Sequence, residues 1–241
     1  TGTGTGTITQ AQIASVSGIT AAGKTYDGTD AAILNAGATY NGMFGGDSLT
    51  FTATKAAFSD KNAGTGKTVN VSGIALGGAD AGNYSLASNT ATGTGAITPK
   101  ALTVTGVTAD NKVYDGTLAA SLTGGALNGL VSGETLSLSG LTGTFATQNV
   151  ASNIAVTARG AQLADGTGLA SNYTVSNPTG VTANITPKAL TIGGIAAGNK
   201  VYDGTLAASL TGGALQGLVG DETLVLSGTT GMFGDKNAGS N

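Results

Sequence analysis

The chain has no cysteine, no histidine and no tryptophan. Without Cys or His there is no ligand set for zinc, haem or an iron–sulfur cluster, no Ser-His or Cys-His nucleophile and no disulfide framework. Charge is scarce as well. Asp, Glu, Lys and Arg make up 10% of 241 residues and the net charge is −3, so nothing forms a basic footprint for nucleic acid or for anionic lipid. No apolar run approaches the ~20 residues that span a bilayer, and no membrane insertion is expected of this stretch. Thr1-Gly2-Thr3-Gly4 carries no basic-then-apolar signal, so targeting information is expected outside it. Proline occurs three times, and the 42 glycines have no period of three, which excludes collagen.

What is present is repetition. Lys112-Val113-Tyr114-Asp115-Gly116-Thr117 recurs as Lys200-Val201-Tyr202-Asp203-Gly204-Thr205 and, with one change, as Lys24-Thr25-Tyr26-Asp27-Gly28-Thr29, at a spacing of 88 residues. A fixed period means an array of one structural unit. The alignment divides the chain into residues 1–7, the last strand of a preceding module, then repeat 1 (8–96), repeat 2 (97–184) and a truncated repeat 3 (185–241). Asn241 aligns with Asn153, so repeat 3 lacks the counterpart of Ile154 to Asn184. The chain is therefore expected to be a piece of a longer array.

Within repeat 2, Ala101–Thr105, Thr135–Ser139, Asn153–Thr157 and Asn172–Val175 alternate apolar and small polar residues, the pattern of half-buried strands. Asp115-Gly116 predicts a tight hairpin turn between flanking strands, and Ala126–Val131 predicts one helical turn in a glycine-rich stretch. About seven short strands with turn signals every roughly 8–12 residues predict an all-β chain: a tandem array of antiparallel, immunoglobulin-like β-sandwich modules. Leu102, Val104, Leu136, Leu138 and Phe145 are expected to point inward. The aromatics fall at apolar repeat positions: Phe58, Phe145 and Phe233 are equivalent, as are Tyr84 and Tyr173, while Tyr40, Phe44 and Phe51 align with Leu127, Val131 and Leu138. A thin core is favoured over an aromatic binding platform, and each module is expected to be marginally stable alone.

Successive modules join without a flexible linker. Proline fixes φ and pushes its predecessor toward extended geometry, so Thr98-Pro99 and Thr186-Pro187 predict near-collinear modules in a stiff rod. The first joint has Gln10 instead and is expected to bend more.

The repeated acids Asp27, Asp115 and Asp203 invite two readings. One is turn chemistry, Asp before Gly satisfying its own backbone. The other is calcium, with Asp47, Glu134 and Glu222 as further ligands; the absence of any D-x-D-x-D-G loop favours the turn. The array keeps Asn62, Asn149 and Asn237 while replacing Asp60-Lys61 and Asp235-Lys236 with Thr147-Gln148, so asparagine is expected to cap or turn the backbone. The repeated lysines Lys24, Lys112 and Lys200, with Lys100 and Lys188, leave open a Lys–Asn isopeptide crosslink. A glycosidase-type carboxylate pair is the surviving catalytic option, but a catalytic cleft is ordinarily built once and these acids recur.

The chain resembles the YDG-type, glycine-rich, mostly-β stalk repeats of large bacterial surface and two-partner-secreted, filamentous haemagglutinin-like adhesins. The residues that carry the resemblance are Ile97–Val104, Val113–Thr117, Phe58–Gly64 and Gly78–Tyr84. Repeat 2 departs at Thr147-Gln148 and at Leu169–Tyr173. The resemblance implies an extracellular stalk or biofilm scaffold with no catalytic residues, whose partners are neighbouring modules and, through regions elsewhere, exopolysaccharide or other cells. A repeated weak carbohydrate- or protein-binding module acting through avidity is the alternative.

Overall fold

A computed structural model describes residues 3–239 of the chain. The chain is nearly all-β. The described residues form 25 strands and two single 3-10 turns, Ala81–Asn83 and Ala170–Asn172, and among them no helix is long and apolar enough to cross a membrane.

Alternation is what folds the longest strands. In Ala151–Arg159 the side chains of Ile154, Val156 and Ala158 are buried and their neighbours exposed, and in Gly64–Ser72 Val69 and Val71 are buried likewise. Gly64–Ser72 pairs antiparallel with both Lys55–Phe58 and Thr90–Thr98, and Ala151–Arg159 pairs antiparallel with both Thr142–Phe145 and Thr182–Thr186. The pairing is not antiparallel throughout. In repeats 1 and 2 the opening strands lie parallel to strands at the end of the repeat or at the joint just past it: Ala11–Ile13 on Tyr84–Leu86, Lys24–Thr25 on Thr90–Thr98, Lys100–Leu102 on Tyr173–Val175, and Lys112–Val113 on Ile185–Thr186. Chain start and chain end of a repeat thus run the same way, a pairing that period-two alternation cannot encode.

The chain forms two compact units that cut across the repeats. Of the described residues, the first comprises 3–106, 125–140 and 160–178, and the second 107–124, 141–159 and 179–239. The first has a core of Ile13, Ile19, Tyr26, Phe58, Val69, Ile97, Leu102, Tyr84 and Tyr173 with others around them. The second has a smaller one of Phe145, Ile154, Val156, Val181, Ala183 and Ile185.

Four expectations are corrected. Ala126–Val131 forms no helical turn: Leu122–Asn128 is a strand, and glycines 124, 125 and 129 all take positive φ, which extended and turning backbone accommodates and a helix does not. Asp115-Gly116 does not close a hairpin, because Lys112–Val113 and Ala119–Ala120 pair with different strands. Residues 3–7 form no strand and are exposed, and the part of that expectation on Thr1 and Gly2 lies outside the described residues. Three aromatics assigned to a core are not in one: Phe44 and Tyr202 are exposed and Phe233 only half-buried. The inward set fares better, with Leu102, Val104 and Phe145 buried and Leu136 and Leu138 half-buried.

The two proline joints differ. Pro99 is the single residue between the strands Thr90–Thr98 and Lys100–Ala109, whereas four residues, 187–190, separate Thr182–Thr186 from Thr191–Ala197.

Candidate functional site

The signature loop is built the same way three times. In repeat 2, Asp115 Oδ1 accepts hydrogen bonds from the Thr117 backbone N–H and hydroxyl, both 2.9 Å, and from Lys112 Nζ at 2.7 Å. Lys112 also donates to the Thr117 carbonyl and hydroxyl. Gly116 completes the turn at φ 74°, where a side chain is disfavoured. Asp27 with Lys24 and Thr29, and Asp203 with Lys200 and Thr205, repeat this cage. The turn reading of Asp27, Asp115 and Asp203 is therefore the geometry found, closed by a lysine rather than by a hairpin. The hydrogen bonds from Lys112 and Thr117 hold Asp115 down at about 2, and Lys200 and Thr205 do the same for Asp203. Lys112 Nζ further sits 5.3 Å from the Phe145 ring centre and Lys200 Nζ 5.6 Å from that of Phe233, tying the loop to the aromatic beside it.

The tyrosine of the loop faces the next repeat. Tyr26 is 1% exposed, and its hydroxyl donates to Glu134 Oε1 at 2.6 Å. The Tyr173 hydroxyl donates to the other oxygen, Oε2, at 2.7 Å, and Lys61 Nζ lies 3.0 Å from Oε1. The two rings meet edge to face, centres 5.3 Å apart at 78°. Beside them the buried Asn172 accepts from the Ala63 backbone N–H and donates to Asn62 Oδ1. All these residues belong to the first compact unit, so repeat 1 and the adjoining part of repeat 2 share one core.

The same contact recurs one period on, where Tyr114 donates to Glu222. It is plainer there. Gln148 stands in place of Lys61, Tyr114 is half-buried and Glu222 is exposed. Tyr202 is 62% exposed. Within repeat 1, Asp47 accepts from Tyr84 as Glu134 does from Tyr173.

Burial alone pushes the Glu134 carboxyl up, but the hydrogen bonds from Tyr26, Tyr173 and Lys61 outweigh it and hold the group below the usual glutamate range. Burial, then the adjacent Glu134 carboxylate, pushes Tyr173 up to about 12. A depressed Glu134 contributes stability that is present above its ordinary value of 4.5 and lost as pH falls through the folded value. A raised Tyr173 contributes stability that is present below 10.0 and lost as pH rises toward about 12. Thermal melts across both ranges are expected to lose stability at each end. Glu134→Gln should flatten the acid-side loss, and an unchanged slope would refute the assignment.

Reading the sequence missed Lys61, Asn62 and Asn172 as partners. Asn62 does pair as well as turn, but the turn itself is capped by the residue two before it: Asp60, Thr147 and Asp235 each accept from the asparagine N–H. The available signal was the acid of Asp47, Glu134 and Glu222, which recurs three residues after Phe44, Val131 and Val219. These acids are engaged by tyrosine hydroxyls, and among the described residues no group of three or more Asp or Glu gathers as metal ligands do. The hydrogen-bond partners of Lys24, Lys112 and Lys200 are aspartate, threonine and backbone carbonyls, with no asparagine among them. A shallow groove in repeat 1, lined by Leu34, Tyr40, Leu49, Phe51 and Lys55, holds no carboxylate.

Glycine at the loop is set by the repeat contact as well as by φ. A Cβ on Gly28, at φ +81°, would lie 2.8 Å from Val131 Cγ1. Gly28→Ala is expected to destabilise the first unit by about 2–3 kcal/mol in urea titrations, the left-handed backbone plus a displaced Val131. Gly204→Ala, at φ +76° with nothing within 4 Å, should cost only the backbone part, about 1 kcal/mol.

A family profile described as YDG domain matches residues 9–91, 98–180 and 186–241. Neither the curated proteins nor the solved structures yield a match.

Proposed function

This chain belongs to the YDG-domain family, and on that premise we propose that it is a structural spacer in a large secreted bacterial adhesin, extending a distal adhesive region from the cell surface or contributing to a biofilm matrix. Its modules are immunoglobulin-like sandwiches in series, forming a stiff rod outside the cell. The observation that carries the reading is the tyrosine-to-acid contact between successive repeats, Tyr26 to Glu134 and Tyr114 to Glu222, each spanning 108 residues. A contact made in the same way at two successive periods holds one repeat against the next, which extension requires. The reading gives the chain no catalytic role and no cofactor, calcium included. Its partners are neighbouring modules.

The alternative, a weak carbohydrate- or protein-binding site multiplied along the array, needs an exposed aromatic at each period. Tyr26 is buried and Tyr114 half-buried, so that support is lacking.

Small-angle X-ray scattering tests the spacer. An elongated particle is expected, lengthening by about 35–45 Å per added repeat, from strands of roughly eight residues plus end loops. A compact globule would sink the reading. Pro187→Gly should broaden the distribution of particle lengths while leaving both denaturation midpoints where they were.

A further inference from the structure

The groove of repeat 1 has a physical cause in the sequence. Its walls, residues 32–40 and 49–56, diverge from an antiparallel bridge between Ala31 and Ala57, where the Ala32 N–H donates to the Ala56 carbonyl at 3.1 Å. Repeat 2 pairs the same positions, Ala119 with Thr144 and Ala120 with Gly143, and there Leu122 closes over the glycine: a Cβ on Gly143 would lie 2.9 Å from Leu122 Cγ. Repeat 3 is alike, a Cβ on Gly231 lying 2.5 Å from Leu210 Cδ2. In repeat 1 this position is Ala56, which carries that Cβ, so Leu34 cannot sit as Leu122 and Leu210 do and lines the groove instead. Repeat 1 also has one residue more between Leu34 and Tyr40 than repeat 2 has between Leu122 and Leu127. Residues 35–38 accordingly belong to no strand, where Leu122–Asn128 runs unbroken.

Two polar groups of this groove are left without partners. The buried tyrosines Tyr26, Tyr84 and Tyr173 each donate to a carboxylate, but the hydroxyl of Tyr40, a residue only 9% exposed, makes no hydrogen bond among the described residues, and burial alone pushes its pKa up. No described side-chain oxygen that is sealed from solvent lacks a partner, so the Tyr40 hydroxyl reaches open space, and the space its side chain lines is the groove. Lys55, also on the groove, makes no ion pair among the described residues, unlike Lys24, Lys61 and Lys67. The antiparallel walls set Lys55 at the Leu34 end and Tyr40 at the Leu49 end, with Phe51 half-buried between them. The groove also lies off the face on which repeats meet. Repeat 1 is held to repeat 2 at Val131, Glu134, Asn172 and Tyr173, and none of the equivalent repeat-1 positions, Phe44, Asp47, Asn83 and Tyr84, lines it.

We propose that this groove is a binding site for a small elongated hydroxy acid: the Lys55 ammonium pairs with its carboxylate, the Tyr40 phenol donates to a hydroxyl at its other end, and an apolar body lies between, along Leu34, Leu49 and Phe51. Charge sets the anionic end, because the groove carries a lysine and no carboxylate of its own. Burial sets the other, since a phenol already withdrawn from water gains from a ligand that brings an acceptor. The aliphatic and aromatic walls select an apolar body over a sugar ring, whose hydroxyls they would leave unpaired. Repeats 2 and 3 have Leu127 and Leu215 in place of Tyr40 and Thr142 and Thr230 in place of Lys55, so of the three only repeat 1 carries the pair. The site goes beyond the spacer reading and does not depend on it.

Isothermal titration calorimetry of the 241-residue chain with ω-hydroxydecanoate at submicellar concentration tests this. Saturable binding of one ligand per chain is expected, with decanoate and decanediol each weaker by about fivefold, the loss of one hydrogen bond or one exposed ion pair. Glucuronate has the same charge on a polar body and should not bind. Tyr40→Phe removes a hydroxyl that has no partner in the fold, so its melt should be unaltered; it should bind ω-hydroxydecanoate no better than decanoate and leave decanoate binding as it was. Lys55→Gln changes an exposed side chain and should erase the preference for ω-hydroxydecanoate over decanediol. Absence of saturable binding, equal affinity for decanoate and ω-hydroxydecanoate, binding of glucuronate, or a variant that ranks the ligands as the wild type does would each overturn the proposal. A chain that binds none of them yet scatters as an elongated particle would remove the site and leave the spacer reading standing.

Discussion

Glu134→Ala is expected to destabilise the first compact unit by about 3–5 kcal/mol, the range for removing one partner of a buried charged network. The Glu134 side chain is 9% exposed and accepts from Tyr26, Tyr173 and Lys61. The substitution leaves two phenol hydroxyls in a buried site without acceptors, each costing on the order of 1–3 kcal/mol. Lys61 adds little, since its side chain is 49% exposed and water takes the place of the carboxylate. Tyr26→Phe removes one donor of three and should cost about 1–2 kcal/mol. At the equivalent position in the second unit, Glu222→Ala should cost under about 1 kcal/mol, because the acid is exposed and takes Tyr114 alone. Urea titrations of the three variants decide it: equal costs at Glu134 and Glu222 would mean that the number of buried donors does not set the strength of the contact.

Phe58→Ala is expected to cost about 3–5 kcal/mol. The ring is buried in the strand Lys55–Phe58 with Val69 as its ladder partner, and its edge lies 2.9 Å from where a Cβ on Gly95 would be, so the neighbour it packs against most closely there has no side chain with which to fill the void. A small domain is stable by only about 5–15 kcal/mol, so this one change removes a large share. Phe233→Ala, at the same repeat position but half-buried, should cost roughly 1 kcal/mol. The two midpoints, measured side by side, separate a core role that belongs to the repeat position from one that depends on what covers it. Similar losses at both would favour the former and contradict the expectation here.

Much of this protein was legible in one dimension. The 88-residue period, the strand character of runs such as Asn153–Thr157, and the glycine of each signature loop follow from local spacing and backbone preference, which act over a few residues and are the same wherever the segment sits. The Asp-Lys-Thr cage is local as well, closed within six residues, and forms even at Asp203, where nothing covers the loop. What alternation and turn chemistry could not give were the partners. That Lys112–Val113 pairs parallel with Ile185–Thr186 rather than folding back on Ala119–Ala120 depends on a strand more than 70 residues away. The fate of three near-identical tyrosines is the clearest case. Tyr26, Tyr114 and Tyr202 sit in the same local sequence, yet one is buried, one half-buried and one exposed, because burial is set by how many side chains of the following repeat close over the ring. Sequence determined that each loop offers a tyrosine; only the tertiary structure decided that Glu134, joined by Tyr173 and Lys61, receives one of them, since desolvating a phenol and a carboxylate together needs groups that meet only after the chain has folded.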